Sequence, residues 1–346
     1  MDLPRDCRIL ITGGTGFIGR HLVRKMLAQG FTLRLLVRSI PKATQLFGNQ
    51  GDYHLGSLEK ANEIDQAVAR CDAVIHLGGL YRFGRTYQKK LFETNLLGTE
   101  NLLKAAQKHS IKRFLFIGTA GVLKSDRPLI SENDFPPHSP WGTPYKKSKW
   151  EAESKVLQAI QNGFPALIAS PTCPIGDEDE APTPTGGMIV DFLNHDFPFY
   201  THSGINLIDI DDLVEGIIAT FSRGKIGKRY LLAGENLWLR EFLQLLSQAT
   251  GIPTPRYAIP SPLLLLAALF MEVAMLFGKK TARLNLETAL HAGKIQFYDA
   301  QKTYLELGWR PSFDTPQAIQ KAIQSIHSRN RFLLDLAPPS PIKILS

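Results

Sequence analysis

The sequence predicts an α/β fold: a doubly wound parallel sheet with a smaller, mostly helical C-terminal lobe. Three observations carry this. Short β-rich runs alternate with amphipathic helical patterns through the first half. A glycine-rich turn, TGGTGFIG (12–19), sits between the first strand and the first helix. After Pro171 the alternation breaks, and most of the last hundred residues read as helix.

CRILIT (7–12) is the first strand, and FIGRHLVRKMLAQ (17–29) puts Phe17, Ile18, Leu22, Val23, Met26 and Leu27 on one helical face. Gly30 stops that helix, and FTLRLLV (31–37) is the second strand. A helix over 59–69 leads to strand DAVIHL (72–77), a long helix over 86–109 to strand RFLFIG (113–118), and a helix over 145–162 to strand ALIASP (166–171). Residues 174–204 read as a long loop region with one helix at 187–194, and the run Asp177–Glu180 is wholly acidic. The α/β pattern returns over 205–234, and helices follow at 239–250, 262–277, 286–293, 299–307 and 315–328. The expected division is a dinucleotide-binding domain over 1–173, returning at 205–234; a substrate lobe over 174–204 and 235–330; and a loose tail over 331–346.

Hydrophobic residues make up 44% of the 346 and charged residues 21%, which excludes wholesale disorder. The net charge of +8 is spread without a basic run, so nucleic acid is not an expected partner. The balance suits an anionic substrate, a phosphorylated cofactor or an anionic membrane surface. Three dispersed cysteines (Cys7, Cys71, Cys173) argue against a disulfide framework and for a reducing, cytoplasmic setting. Neither cysteine nor histidine spacing suggests a metal site. The apolar run 262–277 is too short for a bilayer span at 1.5 Å per residue. It reads as a buried helix, or as a helix docking on a membrane surface with Lys279 and Lys280 near the headgroups.

In the turn, Gly13 permits the tight bend, Gly16 the close approach of a pyrophosphate, and Gly19 close helix–sheet packing. The helix N-terminus then faces the phosphates, with Thr15, Phe17 and Ile18 around them. The second strand ends at Val37-Arg38-Ser39, with Lys42 one turn later. No acid stands there to accept from a ribose 2′-OH, and a guanidinium is available for a 2′-phosphate, so NADP is read over NAD. Tyr145 and Lys149 lie one turn apart on one helical face. An ammonium near a phenol favours the phenolate and lets it exchange a proton with a substrate oxygen. A second YxxxK, Tyr298 with Lys302, lies in the helical lobe and is read as structural.

These residues resemble the extended short-chain dehydrogenase/reductase family, which includes the NAD-dependent epimerases and dehydratases. The likeness runs over residues 7–328 through TGGTGFIG, DAVIHLGG (72–79), NLLGTENLL (95–103), FIGTAG (116–121), YKKSK (145–149), SPTCPIG (170–176), DIDDLVEGI (209–217) and LGWRP (307–311). It implies a Rossmann sheet and a catalytic triad of Thr119, Tyr145 and Lys149. It also implies cofactor contacts from Leu77, Gly78 and Gly79 and from Pro171, Thr172 and Cys173. Within the family the chain is most similar to the dihydroflavonol-4-reductase-like branch, and there to hopanoid-associated sugar epimerases, through 182–194 and 204–216. It departs from the family pattern at Ser57 (commonly Asp), Asp209 (commonly His) and Gly118 (commonly Ser or Thr). Ala120 and Gly121 replace the acidic pair of the sugar dehydratases, which removes elimination from consideration.

The expected activity is hydride exchange between a nicotinamide and a secondary alcohol or ketone, by an NAD(P)-dependent oxidoreductase or epimerase of sugars or nucleotide-sugars. A ketone reductase of dihydroflavonol-reductase type is the alternative, and a non-catalytic NADP-binding sensor or scaffold the second. Tyr81, Arg82, Arg85, Ala120 and Met188 are expected against the substrate, with the arginines holding an anion or simply solvated. The family likeness implies a homodimer through the helices at 86–109 and 145–162.

Overall fold

A computed structural model describes residues 7–82, 85–139, 142–266, 293–312 and 314–329. Seven strands form one parallel sheet: β1 (Arg8–Thr12), β2 (Thr32–Val37), β3 (Asp52–Leu55), β4 (Ala73–His76), β5 (Arg113–Ile117), β6 (Ala166–Pro171) and β9 (Arg229–Leu232), in the order β3-β2-β1-β4-β5-β6-β9. Both faces are covered, so the central strands read as continuous apolar runs. Side chains alternate between the faces. Ile9, Ile11, Leu35, Ile75 and Leu115 pack with α1 (Phe17–Ala28) and α8 (Ile210–Arg223). Leu10, Leu36, Val74, Phe114 and Phe116 pack on the other face with α3 (Ala61–Val68), α5 (Gly98–Lys108) and α6 (Pro144–Gln161). The strand order reverses between β1 and β4, the crevice where such sheets bind ligands.

A second, three-stranded sheet has the order β10-β8-β7, from β7 (Cys173–Ile175), β8 (Gly204–Asp209) and β10 (Glu235–Trp238). It is packed by α7 (Pro184–Leu193), α9 (Leu239–Thr250) and a C-terminal helix, Thr315–Arg329. Of the two segments expected to resume the α/β pattern, only β9 enters the main sheet. The chain leaves it at Gly234, whose backbone N–H and C=O are both held by Asn206 of β8. A Cβ at 234 would collide with the Leu207 carbonyl, so only glycine allows this crossing.

Four elements lie outside the expected pattern: α2 (Ile40–Phe47), the edge strand β3, and β7 and β10 of the second sheet. The expected helix over 86–109 is composite: a 3₁₀ turn (Arg85–Tyr87), α4 (Gln88–Leu91), a π segment (Phe92–Leu97) and α5. The acidic run is tied to α1. Arg20 donates to both Glu180 carboxylate oxygens at 2.7 and 2.9 Å, and Arg24 to Glu178 at 2.8 Å. Of the apolar run 262–277, residues 262–266 are described and helical, with Leu264 buried and Leu263 and Leu266 exposed. The rest of it, most of the helix expected at 286–293, and the 331–346 tail lie outside the described residues. Among the described residues, no helix is long and apolar enough to cross a membrane.

Candidate active site

Two turns meet at the crevice. Gly13 follows β1 with φ +75°, a conformation that suits glycine. A Cβ there would stand 2.7 Å from the Gly78 nitrogen, on the turn after β4. Gly19 packs against Gly13, and any Cβ on it would overlap the Gly13 carbonyl. Gly16 precedes α1 in extended backbone and supplies no side-chain cap, which leaves the first-turn amides directed at the crevice. These residues fit a dinucleotide pyrophosphate. Thr15, Phe17 and Ile18 are partly exposed at the same mouth. Arg38 is exposed at the end of β2, and among the described residues its guanidinium makes no hydrogen bond or ion pair. Its charge helps hold the Glu59 carboxyl low, against burial and together with hydrogen bonds from Thr94 and Ser57. The Lys42 ammonium lies 3.9 Å from Glu180. Ser57, where an acid is common, thus stands beside Glu59.

Behind Gly78 runs a buried relay. The Thr99 hydroxyl donates to the Asn95 carbonyl at 2.6 Å, so it accepts from His76 Nε2 at 3.0 Å. The other ring nitrogen then accepts from the Thr12 hydroxyl at 2.7 Å, and Thr12 accepts from the Gly78 amide. Burial, helped by the Lys149 charge, pushes the His76 pKa down to about 3, which keeps the ring neutral. The π segment turns Asn95 inward, a use typical of such bulges. Its amide pairs with both backbone groups of Leu80 and donates to the Ser148 hydroxyl at 2.9 Å, which in turn donates to the Tyr145 carbonyl. The turn after β4 is thereby fastened to α6, and the Tyr81 ring packs on the Tyr145 ring with centroids 4.1 Å apart.

Thr119 ends β5, and its hydroxyl accepts from the Gly121 amide at 3.2 Å. The Thr119 hydroxyl lies close enough to the Tyr145 phenol to favour its ionised form. Burial pushes the phenol above its ordinary range and outweighs that influence. Lys149, buried one turn on, donates to the Ile117 carbonyl at 3.0 Å and lies over the Phe116 ring at 4.7 Å. The expected lowering of the phenol by Lys149 is therefore not the leading effect, because the ammonium is turned to the β5 carbonyl. Burial pushes Lys149 itself down to about 8, against the opposing pull of Glu153.

That depression has a stability signature. Between pH 8 and the ordinary lysine value of about 10.4, the unfolded chain binds a proton that the folded one has released. Stability therefore rises with pH through this window, by up to about 3 kcal/mol, and the cost of charging Lys149 is fully present below it. In Lys149→Met this rise should be smaller by that amount. Thermal melts of both proteins from pH 7.5 to 9.5 measure it, and equal slopes would count against the shift.

The structure brings together Thr119, Tyr145, Lys149, Tyr81 and Cys173, whose exposed thiol lies within electrostatic reach of Tyr81, Tyr145 and Tyr298. Pro171 and Thr172 close the end of β6, with the Thr172 amide donating to Leu232. Leu77 and Gly79 flank Gly78, and a Cβ on Gly79 would stand 3.2 Å from Asn95 Oδ1. Ala120 is buried, and its carbonyl accepts from the Tyr298 hydroxyl at 3.2 Å. Met188 packs into the lobe core on α7. Arg82 is exposed and bends back to the Tyr81 carbonyl, away from the centre. Arg85 contributes its backbone to the 3₁₀ turn. Among the described residues no cluster could hold a metal ion.

Two residues of the site lay outside the sequence reading. Asn95 is one. Glu153 is the other, four positions beyond Lys149; it is fully buried and accepts from Arg229 Nε at 2.9 Å. Its other oxygen would lie 2.5 Å from a Cβ at 118, which explains glycine where Ser or Thr is common. The signal available in sequence was the helical series Tyr145, Lys149, Glu153.

A model of the NAD dependent epimerase/dehydratase family matches residues 9–233. The chain belongs to that family. It is 34% identical over 324 residues to the Synechocystis sp. family relative named "Putative dihydroflavonol 4-reductase", covering 92% of this chain and 94% of that protein. It is 31% identical over 259 residues to the 4-hydroxy-2-methyl-3-oxo-4-farnesyl-3,4-dihydroquinoline-1-oxide ketoreductase of Stigmatella aurantiaca, covering 73% and 76%. The crystal structure of gox2253 matches with a TM-score of 0.81 at 31% identity, over 94% of this chain and 99% of that one. As an epimerase/dehydratase family member the chain is an NAD(P)-dependent epimerase/reductase of extended short-chain dehydrogenase type, and its substrate is a small molecule.

Proposed function

We propose that the protein is an NADPH-dependent reductase that converts a ketone to a secondary alcohol, with Tyr145 as its general acid. The observation that carries this reading is the Tyr145 ring packed against Tyr81 with its phenol close to Thr119, and Lys149 buried one turn along α6. Gly13, Gly16 and Gly19 with the α1 amides would hold the cofactor pyrophosphate, and Arg38 and Lys42 the 2′-phosphate. NADPH bound there supplies the hydride that the carbonyl carbon receives. Thr119 and Tyr145 hold the carbonyl oxygen between two hydroxyls. The phenol is kept protonated by burial, so it has a proton to give as negative charge develops on that oxygen. The reductase direction is supported by the two relatives that are 34% and 31% identical over 92% and 73% of the chain, whose names both specify reduction; a UDP-glucose 4-epimerase is 31% identical over 39% of it.

Epimerisation is the second reading, favoured by the family model itself. In that case Tyr145 first takes a proton from the alcohol and returns it after the ketone has rotated. Net consumption of NADPH with a carbonyl substrate separates the two. The lipid-linked sugar substrate suggested by residues 182–216 has support only in that sequence likeness.

Arg38 tests the cofactor. Arg38→Ala should weaken NADPH binding roughly 10- to 100-fold, the range for losing one charge-assisted phosphate contact, and change NADH affinity less than about threefold. Nicotinamide fluorescence titration reads both constants. Tighter NADH than NADPH binding in the unmodified protein would overturn the NADP reading.

A further inference from the structure

A second cation stands beside the proposed acid. Lys146 follows Tyr145 on α6, and its side chain is half-buried. Two glycines make its channel: a Cβ at Gly121 would lie 3.7 Å from Lys146 Cε, and one at Gly142 would lie 3.6 Å from its Cδ. That same position at Gly121 lies 3.3 Å from the Thr119 hydroxyl, so the lysine stem and the proposed substrate-orienting oxygen flank one glycine. Among the described residues, the Lys146 ammonium has no hydrogen-bond acceptor and no carboxylate partner. Lys294 adds a like charge within electrostatic reach, from the segment that runs from the Gly204 edge to Tyr298, whose hydroxyl sits on the Ala120 carbonyl. Among the described residues, Lys294 likewise has no side-chain partner. Burial, and then Lys294, push Lys146 down to about 8, with Cys173 the small opposing influence.

Two ammonium groups without carboxylate partners, one of them half-buried beside Thr119, favour an anion placed near them. Among the described residues, Asn95 is paired with Leu80, Ser148 with the Tyr145 carbonyl, and Tyr298 with Ala120. Arg82, expected from sequence either to hold an anion or to be solvated, is exposed and donates to the Tyr81 carbonyl.

We propose that Lys146 and Lys294 form an anion subsite, and that the substrate carries a carboxylate or phosphate close to its reacting carbonyl. This rests on the reductase reading for the identity of the reacting group, but the anion site itself does not require turnover. It makes Lys146 a specificity-determining residue, since a neutral ketone would leave the two ammonium groups as they stand.

The test uses the full chain, with and without saturating NADPH. Three probes share one aryl ketone: 4-acetylbenzoate, 4-acetylphenyl phosphate and the neutral 4-acetylbenzamide. Lysines are pulse-labelled with acetic anhydride, and the rate at each site is read by mass spectrometry against the exposed Lys89. At least one anionic probe should slow labelling of Lys146 fivefold or more, while the benzamide changes it less than twofold. Which anion protects assigns the group as carboxylate or phosphate. Lys146→Met should raise the dissociation constant of the protecting probe at least tenfold and leave that of the benzamide unchanged. Lys294→Met, at an exposed loop position, should give a smaller loss in the same direction. Equal protection by the neutral probe, or protection by none, overturns the subsite. Absence of NADPH binding overturns the reductase reading instead, and the protection measured without cofactor still decides the subsite.

Discussion

Tyr145→Phe is expected to lower turnover by about a thousandfold, within the range for removing a positioned general acid. NADPH affinity should stay within about twofold. The substituted ring keeps its packing on Tyr81, because only the hydroxyl that meets Thr119 is lost. The contrast is Tyr298→Phe. Tyr298 is also buried and also opens a YxxxK pattern, but its hydroxyl donates to the Ala120 carbonyl, and its lysine partner, Lys302, is half exposed and paired with Glu132 at 3.1 Å. Losing one neutral hydrogen bond should cost Tyr298→Phe stability of about 1 kcal/mol and turnover less than about tenfold. Steady-state kinetics with NADPH titration on both variants decides between them. A Tyr145→Phe enzyme at near-normal rate would remove the phenol from the chemistry, and would move the protein toward a cofactor-binding role without catalysis.

The central sheet was legible because its strands are buried on both faces, and apolar runs of five or six residues separated by helical patterns have few other readings. β3 escaped because it is a four-residue edge strand, half exposed, with Asp52 and His54 on one face and Tyr53 and Leu55 on the other, so that only one face is apolar. α2 escaped because its apolar face is only Ala43 and Phe47; its start is marked by the Ser39 cap, which accepts from the Lys42 amide. The assignment of 204–209 to a second sheet depends on Asn206 holding Gly234, a pairing 28 positions apart that no local pattern records. The site divides in the same way. Glycines, Tyr145 and Lys149 announce themselves by spacing along one turn or one helix. Asn95 does not, since it is turned inward only by a π segment inside what reads as an ordinary helix. The direction of the Lys149 ammonium is likewise set by Ile117, on another element. Sequence alone leaves Arg82 either as an anion contact or as a solvated residue; in the structure it is exposed and donates to the Tyr81 carbonyl.

The largest stability effect is expected at Glu153. Its carboxylate is fully buried, and Arg229, nearly so, reaches it at 2.6 and 2.9 Å while donating to the Glu132 carbonyl and covering the Phe135 ring. Glu153→Ala leaves a buried guanidinium without its counter-ion, which costs about 3–5 kcal/mol. In a chain of this size that lowers Tm by roughly 4–7 °C. Glu153→Gln keeps an acceptor for Arg229 and should cost less, but it removes the charge that supports the Lys149 ammonium, so the lysine titration should move below its value of about 8. Gly118 gives the deciding comparison. A Cβ at 118 would stand 2.5 Å from the Glu153 oxygen that faces it, so Gly118→Ala must push the carboxylate away from Arg229. The cost of Gly118→Ala should therefore be large in the unmodified protein and nearly vanish in the Glu153→Ala background, a coupling of the size seen between residues in direct contact. Denaturant melts of the four proteins give the cycle. Equal costs in the two backgrounds would mean that glycine at 118 serves the β5 backbone alone. A vanishing cost would mean that the chain lacks a hydroxyl beside Thr119 because the space belongs to the charge behind Lys149.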